Sequence, residues 1–399
     1  MKFSSVPRAL AYLWHSKKTW RKPGKAKVLI YDRVGSEVFL VYLDPKSVEI
    51  LDVRGESLNL YVLFKCLLHW KFSLLNYSFQ YLTCVKPSVA LTFIDNNHLF
   101  YQLKSHQKDL TTVFVQNGLK GDDEDVFGFL KMQTHFHNKY HVDYMLTFGN
   151  AINRKYSKCI NGKTLPIGSF KNNLCQSKPQ KQSKSVLFIS QYRPPPSPES
   201  RPMLIRGNQK IFWQQFFSAE EFLLPLLQQY CLQNKLELKI CMCSADQTRE
   251  EQERNYFISL LGSEAVELLE KSSIYSSYEN VAAAGFVVFV DTALGYEALA
   301  RGKKTAAFTL RGKSLGSATS NFGWPADLPD NGPFWTNHDN EQEFERVMDY
   351  ITTVSDEEWE QTRQRYVPEL MEYDSGNTRF LKLMREIGVP LKREYESDV

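Results

Sequence analysis

The 399-residue sequence contains no GxxxxGK[ST] stretch, so P-loop phosphate chemistry is excluded as far as sequence can exclude it. Neither half carries GxGxxG after its first β-rich run, which counts against a dinucleotide oxidoreductase. Seven cysteines (Cys66, Cys84, Cys159, Cys175, Cys231, Cys241 and Cys243) form no CxxC pair and no zinc-finger spacing. An odd count without a signal peptide reads as reduced thiols in a reducing compartment. The N-terminus has no apolar run long enough for a signal peptide or a membrane span. Its short apolar stretch precedes a cluster of Lys and Arg within Lys17–Lys27, which reads either as a solvated basic strap or as a peripheral contact with the inner membrane. His135, His137 and His141 lack an HExxH-type carboxylate, and no DxD-type dicarboxylate ends a predicted strand, so no metal or other cofactor is expected. A net charge of +4 is too small to argue for nucleic acid, although it favours an anionic substrate or surface. The expectation is a cytoplasmic protein, soluble or peripheral on the cytoplasmic face of the inner membrane.

What is present is globular in composition, with 43% hydrophobic and 24% charged residues, and long enough for two or three domains. The runs KVLIY (27–31), SVEIL (47–51), VALTFI (89–94), TTVFV (111–115), VDYMLTF (142–148) and TLPIG (164–168) read as strands alternating with helical segments. A polar, basic stretch, KNNLCQSKPQKQSK (171–184), reads as an interdomain linker. A second strand–helix series follows, with SVLFIS (185–190), LELKICMC (236–243), FVVFVD (286–291) and KTAAFTL (304–310) as strands and three helices after residue 339. Alternation of this length predicts two parallel, doubly wound sheets, with ligands beyond the carboxyl ends of their strands.

The most informative stretch runs from Ser276-Ser277-Tyr278 through strand 286–291 to Thr292-Ala293-Leu294-Gly295-Tyr296-Glu297. A buried strand ending in Asp291, a small-residue turn in which Gly295 lets the backbone approach a ligand, and a helix start offer amides to phosphate oxygens. Glu297, one turn in, has the reach to accept both hydroxyls of a ribose. The same residues also read as an ordinary strand–turn–helix with a capping Thr292 and a surface Glu.

The run from Asp291 to Gly302 resembles the nucleotide-binding stretch of GT-B glycosyltransferases, where a D/S-T-x-G-x-E-A-x-A-x-G-K pattern precedes the next strand and the Glu holds the nucleotide ribose. TFIDNN (92–97), VFVQNG (113–118), LPIGSFKNN (165–173), LFISQYR (187–193), FGWP (322–325) and GPFWTN (332–337) are similar to segments of bacterial surface-carbohydrate biosynthesis transferases. The resemblance spans about residues 89 to 386. It implies an α/β, GT-B fold of two Rossmann-like domains facing a cleft: an acceptor domain (1–172), a nucleotide-sugar domain (185–372) and a C-terminal helix (373–399) packing back on the first. It also implies a nucleotide sugar as co-substrate and a glycan or lipid-linked acceptor, with no nucleic-acid partner. The chain has no His-Pro dipeptide of the kind that grips the nucleotide phosphate in CMP-ulosonate transferases, which leaves UDP- or GDP-linked donors at least as well placed.

Within that frame the donor candidates are Ser190, Gln191, Arg193, Ser277, Tyr278, Thr292, Leu294, Gly295, Glu297 and Arg311, with Arg193 and Arg311 as phosphate partners because guanidinium binds phosphate bidentately. Transfer by inversion needs a base to deprotonate the acceptor hydroxyl, and Asp95, Asp122 and Asp123 are the candidates, Asp95 the better placed because it ends a buried strand. Asn96, Asn97, Gln116, Asn117 and Gly118 are the acceptor candidates. Phe322, Trp324, Phe334 and Trp335 read either as a stacking surface or as a cover over the sheet. Two other readings are open: a polyol-phosphate transferase using a CDP-linked donor, and a non-catalytic subunit of a polysaccharide assembly complex. An epimerase acting on a nucleotide sugar stands behind both.

Overall fold

The computed structural model describes residues 14–70, 73–122, 125–136, 139–175, 183–206, 209–244, 246–262 and 266–396. Asp123, His137 and the middle of the expected linker (176–182) lie outside the described residues. The first sheet consists of β1 (Val28–Tyr31), β2 (Val48–Leu51), β3 (Val89–Thr92), β4 (Thr111–Val115), β5 (Tyr140–Thr147) and β6 (Ile160–Pro166), all parallel, in the order 2-1-3-4-5-6. The second consists of β7 (Ser185–Ile189), β8 (Glu237–Cys241), β9 (Glu267–Leu269), β10 (Phe286–Phe289), β11 (Lys304–Phe308), β12 (Asn331–Gly332) and β13 (Trp335–Thr336), in the order 9-8-7-10-11-13-12, parallel except for the last pair. The central strands are unbroken apolar runs, VLIY in β1 and SVLFI in β7, buried at every position because helices cover both faces.

The helices that matter for the site are α1 (Leu60–Leu68), α2 (Asn150–Cys159), α3 (Phe170–Leu174), α4 (Trp213–Gln233), α5 (Ser276–Ala283), α6 (Ala293–Ala300), α7 (Asp356–Leu370) and α8 (Thr378–Glu386). In α8 the apolar side chains Phe380, Leu381, Leu383 and Met384 are buried. Phe380 lies 5.8 Å from Phe39 and 4.9 Å from Phe170, ring to ring, so the end of the chain completes the core under the first sheet.

The chain therefore passes twice between the halves. The return passage is held by the Glu372 amide, which donates to the Phe148 carbonyl at 2.8 Å, and by a bridge between Gly168 and Tyr373. On the outward passage, Asn172 and Asn173 are fully buried within α3, so the stretch read as an interdomain linker (171–184) begins inside a helix. Their amides explain the burial. Asn173 donates to the Ile167 carbonyl (2.7 Å) and to Asn377 Oδ1 (2.9 Å), and accepts from the Asp374 amide (3.0 Å). Polar side chains so satisfied tie backbone to backbone without an unpaired donor.

Candidate functional site

Each sheet reverses its strand order once, between β1 and β3 in the first and between β7 and β10 in the second, and the crevice at such a reversal is where open α/β sheets take ligands. The second reversal brings together Ser190, Gln191, Asp291 and Thr292, four residues that follow β7 and β10 directly. Beside them Arg193 is exposed, its guanidinium 5.9 Å from the Phe216 ring.

Several expected ligand residues are already engaged with the protein. Arg311 has no exposed surface. Its guanidinium donates to the Phe216 carbonyl (2.9 Å), Gln191 Oε1 (2.8 Å), Asp291 and Glu220, and stacks 4.1 Å from the Phe216 ring. It is thus a positioning residue that ties the ends of β7, β10 and β11 to α4, and in this arrangement its guanidinium is committed to protein acceptors. Ser190 is buried as well and donates to Glu253, a carboxylate without exposed surface that also accepts from the amides of Cys243 and Ser244 at 3.0 Å each. Ser277 hydrogen bonds to Cys241.

Glu220 faces Arg311 away from the surface, and burial pushes its pKa up to about 7 against the pull of Arg311. The folded state therefore holds a proton that the unfolded chain releases near 4.5. Stability is fully present below that pH and declines as pH rises towards 7, by about 3 kcal/mol at most. Denaturant titrations between pH 4.5 and 7.5 are expected to show this decline, and Glu220→Gln to remove most of it. An unchanged slope in the variant would mean that Glu220 is not its source.

A Cβ at Gly295 would lie 2.1 Å from the Phe289 ring, so the glycine also serves the close packing of α6 on β10. At the start of α6, Thr292 Oγ1 accepts from the Leu294 amide (3.3 Å) and the Thr292 carbonyl from the Gly295 amide (3.1 Å). Glu297 is buried where the halves meet, not on the surface, and is hydrogen bonded to Ser169 and Tyr278. Burial raises its pKa, and the Tyr278 hydroxyl rises with it for the same reason and because the Glu297 charge is close. Arg301, one turn further on, donates to Asn172 Oδ1 (2.6 Å), the Asn172 carbonyl (2.9 Å) and the Cys175 carbonyl. Ser169, Asn172 and Arg301 were not singled out from sequence. The signal available was the LPIGSFKNN segment, whose polar residues gave no hint of burial.

Across the cleft, Asp95 has no exposed surface: Lys120 Nζ is 2.8 Å from Oδ1, Tyr156 donates to Oδ2 at 2.6 Å and Tyr101 to the main-chain carbonyl. Asp122 is paired with Lys155 (2.7 Å) and Lys131 (2.9 Å); partial burial raises its pKa, but these hydrogen bonds outweigh that and hold it below the usual carboxylate range. In this arrangement both are counter-ions of lysine. Gln116 bridges the Phe148 amide and the Gly118 carbonyl at 2.9 Å each, Asn117 accepts from Lys120 (3.2 Å), and Asn97 caps its own turn through the Leu99 amide (3.1 Å). Asn96 is exposed, and the Cα of Gly118 faces open space. A cavity between the halves is lined by Gln116, Lys120 and Phe148 on one side and by Tyr296, Trp324 and Glu369 on the other. It adjoins a wider basic recess formed by Lys131, Arg154, Lys155, Lys158 and Trp324, where Lys155 sits 4.5 Å over the Trp324 ring. Phe322, Phe334 and Trp335 are buried and stack on one another, covering the sheet; of the four loop aromatics, Trp324 is the one that reaches the cleft.

Residues 113–388 match a protein family described as "putative O-antigen biosynthesis protein". The chain belongs to that family. Among solved structures, a "putative UDP-N-acetylglucosamine 2-epimerase" from Listeria monocytogenes is similar at 10% identity, over 91% of this chain and 97% of that one, with a TM-score of 0.51. The UDP-GlcNAc 2-epimerase of Neisseria meningitidis (11% identity, 91% and 100% coverage, TM-score 0.47) and the wall teichoic acid polymerase TagF (9%, 97% and 98%, 0.45) are more distant in shape. No curated protein matches by sequence. At these identities the likeness concerns the fold: this O-antigen biosynthesis family member has the GT-B architecture that its Asp291–Gly302 stretch implied.

Proposed function

We propose that the protein is a glycosyltransferase that moves a sugar from a nucleotide-sugar donor to a hydroxyl of a growing surface glycan. The observation that carries this reading is the strand-order reversal at β7 and β10, where Gln191, Asp291, Thr292 and the exposed Arg193 converge beside the start of α6. The donor diphosphate would meet Arg193 and, in place of the Thr292 hydroxyl, the Leu294 amide at the start of α6 as charge builds on the leaving group. Glu297 would take the ribose by exchanging its bond to Ser169, which couples donor binding to the seam between the halves. The acceptor would enter from the first half, past Gln116, Asn117 and Asn96, and the basic recess around Lys155 and Lys158 suits an acceptor carrying phosphate or carboxylate.

The test is thermal denaturation of the purified protein with CMP, CDP, UDP, GDP, TDP and ADP. Ligand at about 100-fold over Kd adds about 2.7 kcal/mol, readily seen as a rise in melting temperature. A rise selective for one nucleotide, lost in both Arg193→Ala and Glu297→Gln, is expected. No rise with any nucleotide at millimolar concentration would sink the reading. Incorporation of label from the sugar, but not from the β-phosphate of the donor, would separate sugar transfer from polyol-phosphate transfer.

A further inference from the structure

Apart from Lys65, helix α1 carries apolar or aromatic side chains on every face. Val62 and Cys66 point into the core, whereas Phe64, Leu67 and Leu68 lie on the opposite face and are exposed. Trp70, which follows the helix, is 84% exposed. A helix of this kind is normally covered on every side, yet Phe64 is 50% and Leu68 63% exposed. The segment Lys17–Thr19 pairs in parallel with Ser57–Asn59, the residues that lead into α1, and Asn59 Nδ2 donates to the Arg21 carbonyl at 2.8 Å. This pairing sets Trp20, 69% exposed, at the start of α1. It also brings up a stretch, Lys17–Lys27, that holds six Lys or Arg, all exposed, and no acidic residue. None of the six makes an ion pair among the described residues. Large apolar side chains rimmed by unpaired cations match the two layers of an anionic bilayer surface: acyl chains for Trp20, Phe64, Leu68 and Trp70, phosphates for the lysines.

We infer that this face of the first half is a peripheral docking surface for anionic lipid bilayers. No helix among the described residues is long and apolar enough to cross a membrane, so the contact is interfacial. The inference is independent of the sugar-transfer reading, since it uses none of the cleft residues.

The test is co-sedimentation of the full chain with vesicles of phosphatidylcholine alone or containing about one-third phosphatidylglycerol. Binding is expected for the anionic vesicles, weakening as salt is added, with little for the neutral ones. The triple variant Phe64→Ser, Leu68→Ser, Trp70→Ser and, separately, Lys17→Glu, Lys18→Glu, Lys22→Glu are each expected to lower binding at least about tenfold. The second variant leaves α1 untouched, so the inference remains testable if the first misfolds. A wild-type chain that stays in the supernatant, equal binding to neutral vesicles, or full binding by the lysine variant would overturn it. So would an oligomer in solution that the α1 variant converts to a monomer, because the face would then serve a second copy of the chain.

Discussion

Arg311→Ala is expected to destabilise the protein by about 3–5 kcal/mol, the range for removing one partner of a buried ion pair. The guanidinium has no exposed surface and engages two carboxylates, a side-chain amide and a main-chain carbonyl, drawn from three separate places in the chain. Without it, Glu220 and Asp291 would face each other with no cation between them. Lysine keeps the charge but not the planar fork, so Arg311→Lys should recover little. The pH dependence identifies the cause. At pH 5 Glu220, whose pKa stands at about 7, already carries a proton, so the alanine variant should lose less there than at pH 8. Denaturant melts at the two pH values measure this, and a loss under about 1 kcal/mol at pH 8 would contradict the buried-pair account.

Gly168→Ala should have the second large effect, and three glycines separate its causes. Gly118 has an ordinary φ and open space around its Cα; Gly376 has a φ of +71° but nothing within 4 Å; Gly168 has a φ of +74° and would place a Cβ 1.9 Å from the Glu372 carbonyl oxygen. Alanine at these positions should therefore cost about nothing, about 1 kcal/mol, and about 2–4 kcal/mol respectively. The third figure reflects a clash with main chain, which cannot rotate aside as a side chain can. Equal losses at Gly168 and Gly376 would show that the return passage yields to the added methyl.

The alternation of strand and helix was legible because the central strands are largely buried apolar runs. TTVFV coincides with β4 residue for residue. Short edge strands such as Glu267–Leu269 and Asn331–Gly332 escaped, since two or three residues carry no periodicity. The helix Gln247–Leu261 escaped for a different reason: one of its three buried side chains is Glu253, so the apolar stripe is broken where the fold needs a carboxylate. At the site, sequence marked the polar residues that gather beyond the strand ends. It did not say which are spent on one another. Arg311 and Glu220 lie 91 positions apart and Arg301 and Asn172 lie 129 apart, and no local pattern reports pairs at such separations. Lys120 escaped likewise, since nothing in its neighbourhood points to Asp95.

The double passage of the chain between its halves has a mechanical consequence. A single connecting strand would let one half swivel, tilt and slide against the other. Two, anchored side by side through Asn173, Asp374 and Asn377, act like the two pins of a door. They permit a swing about the line joining them and resist twisting and shear. Nucleotide at β7 and β10 and acceptor beyond β3 and β4 would thus approach along one arc, in the same relative orientation each time the door closes.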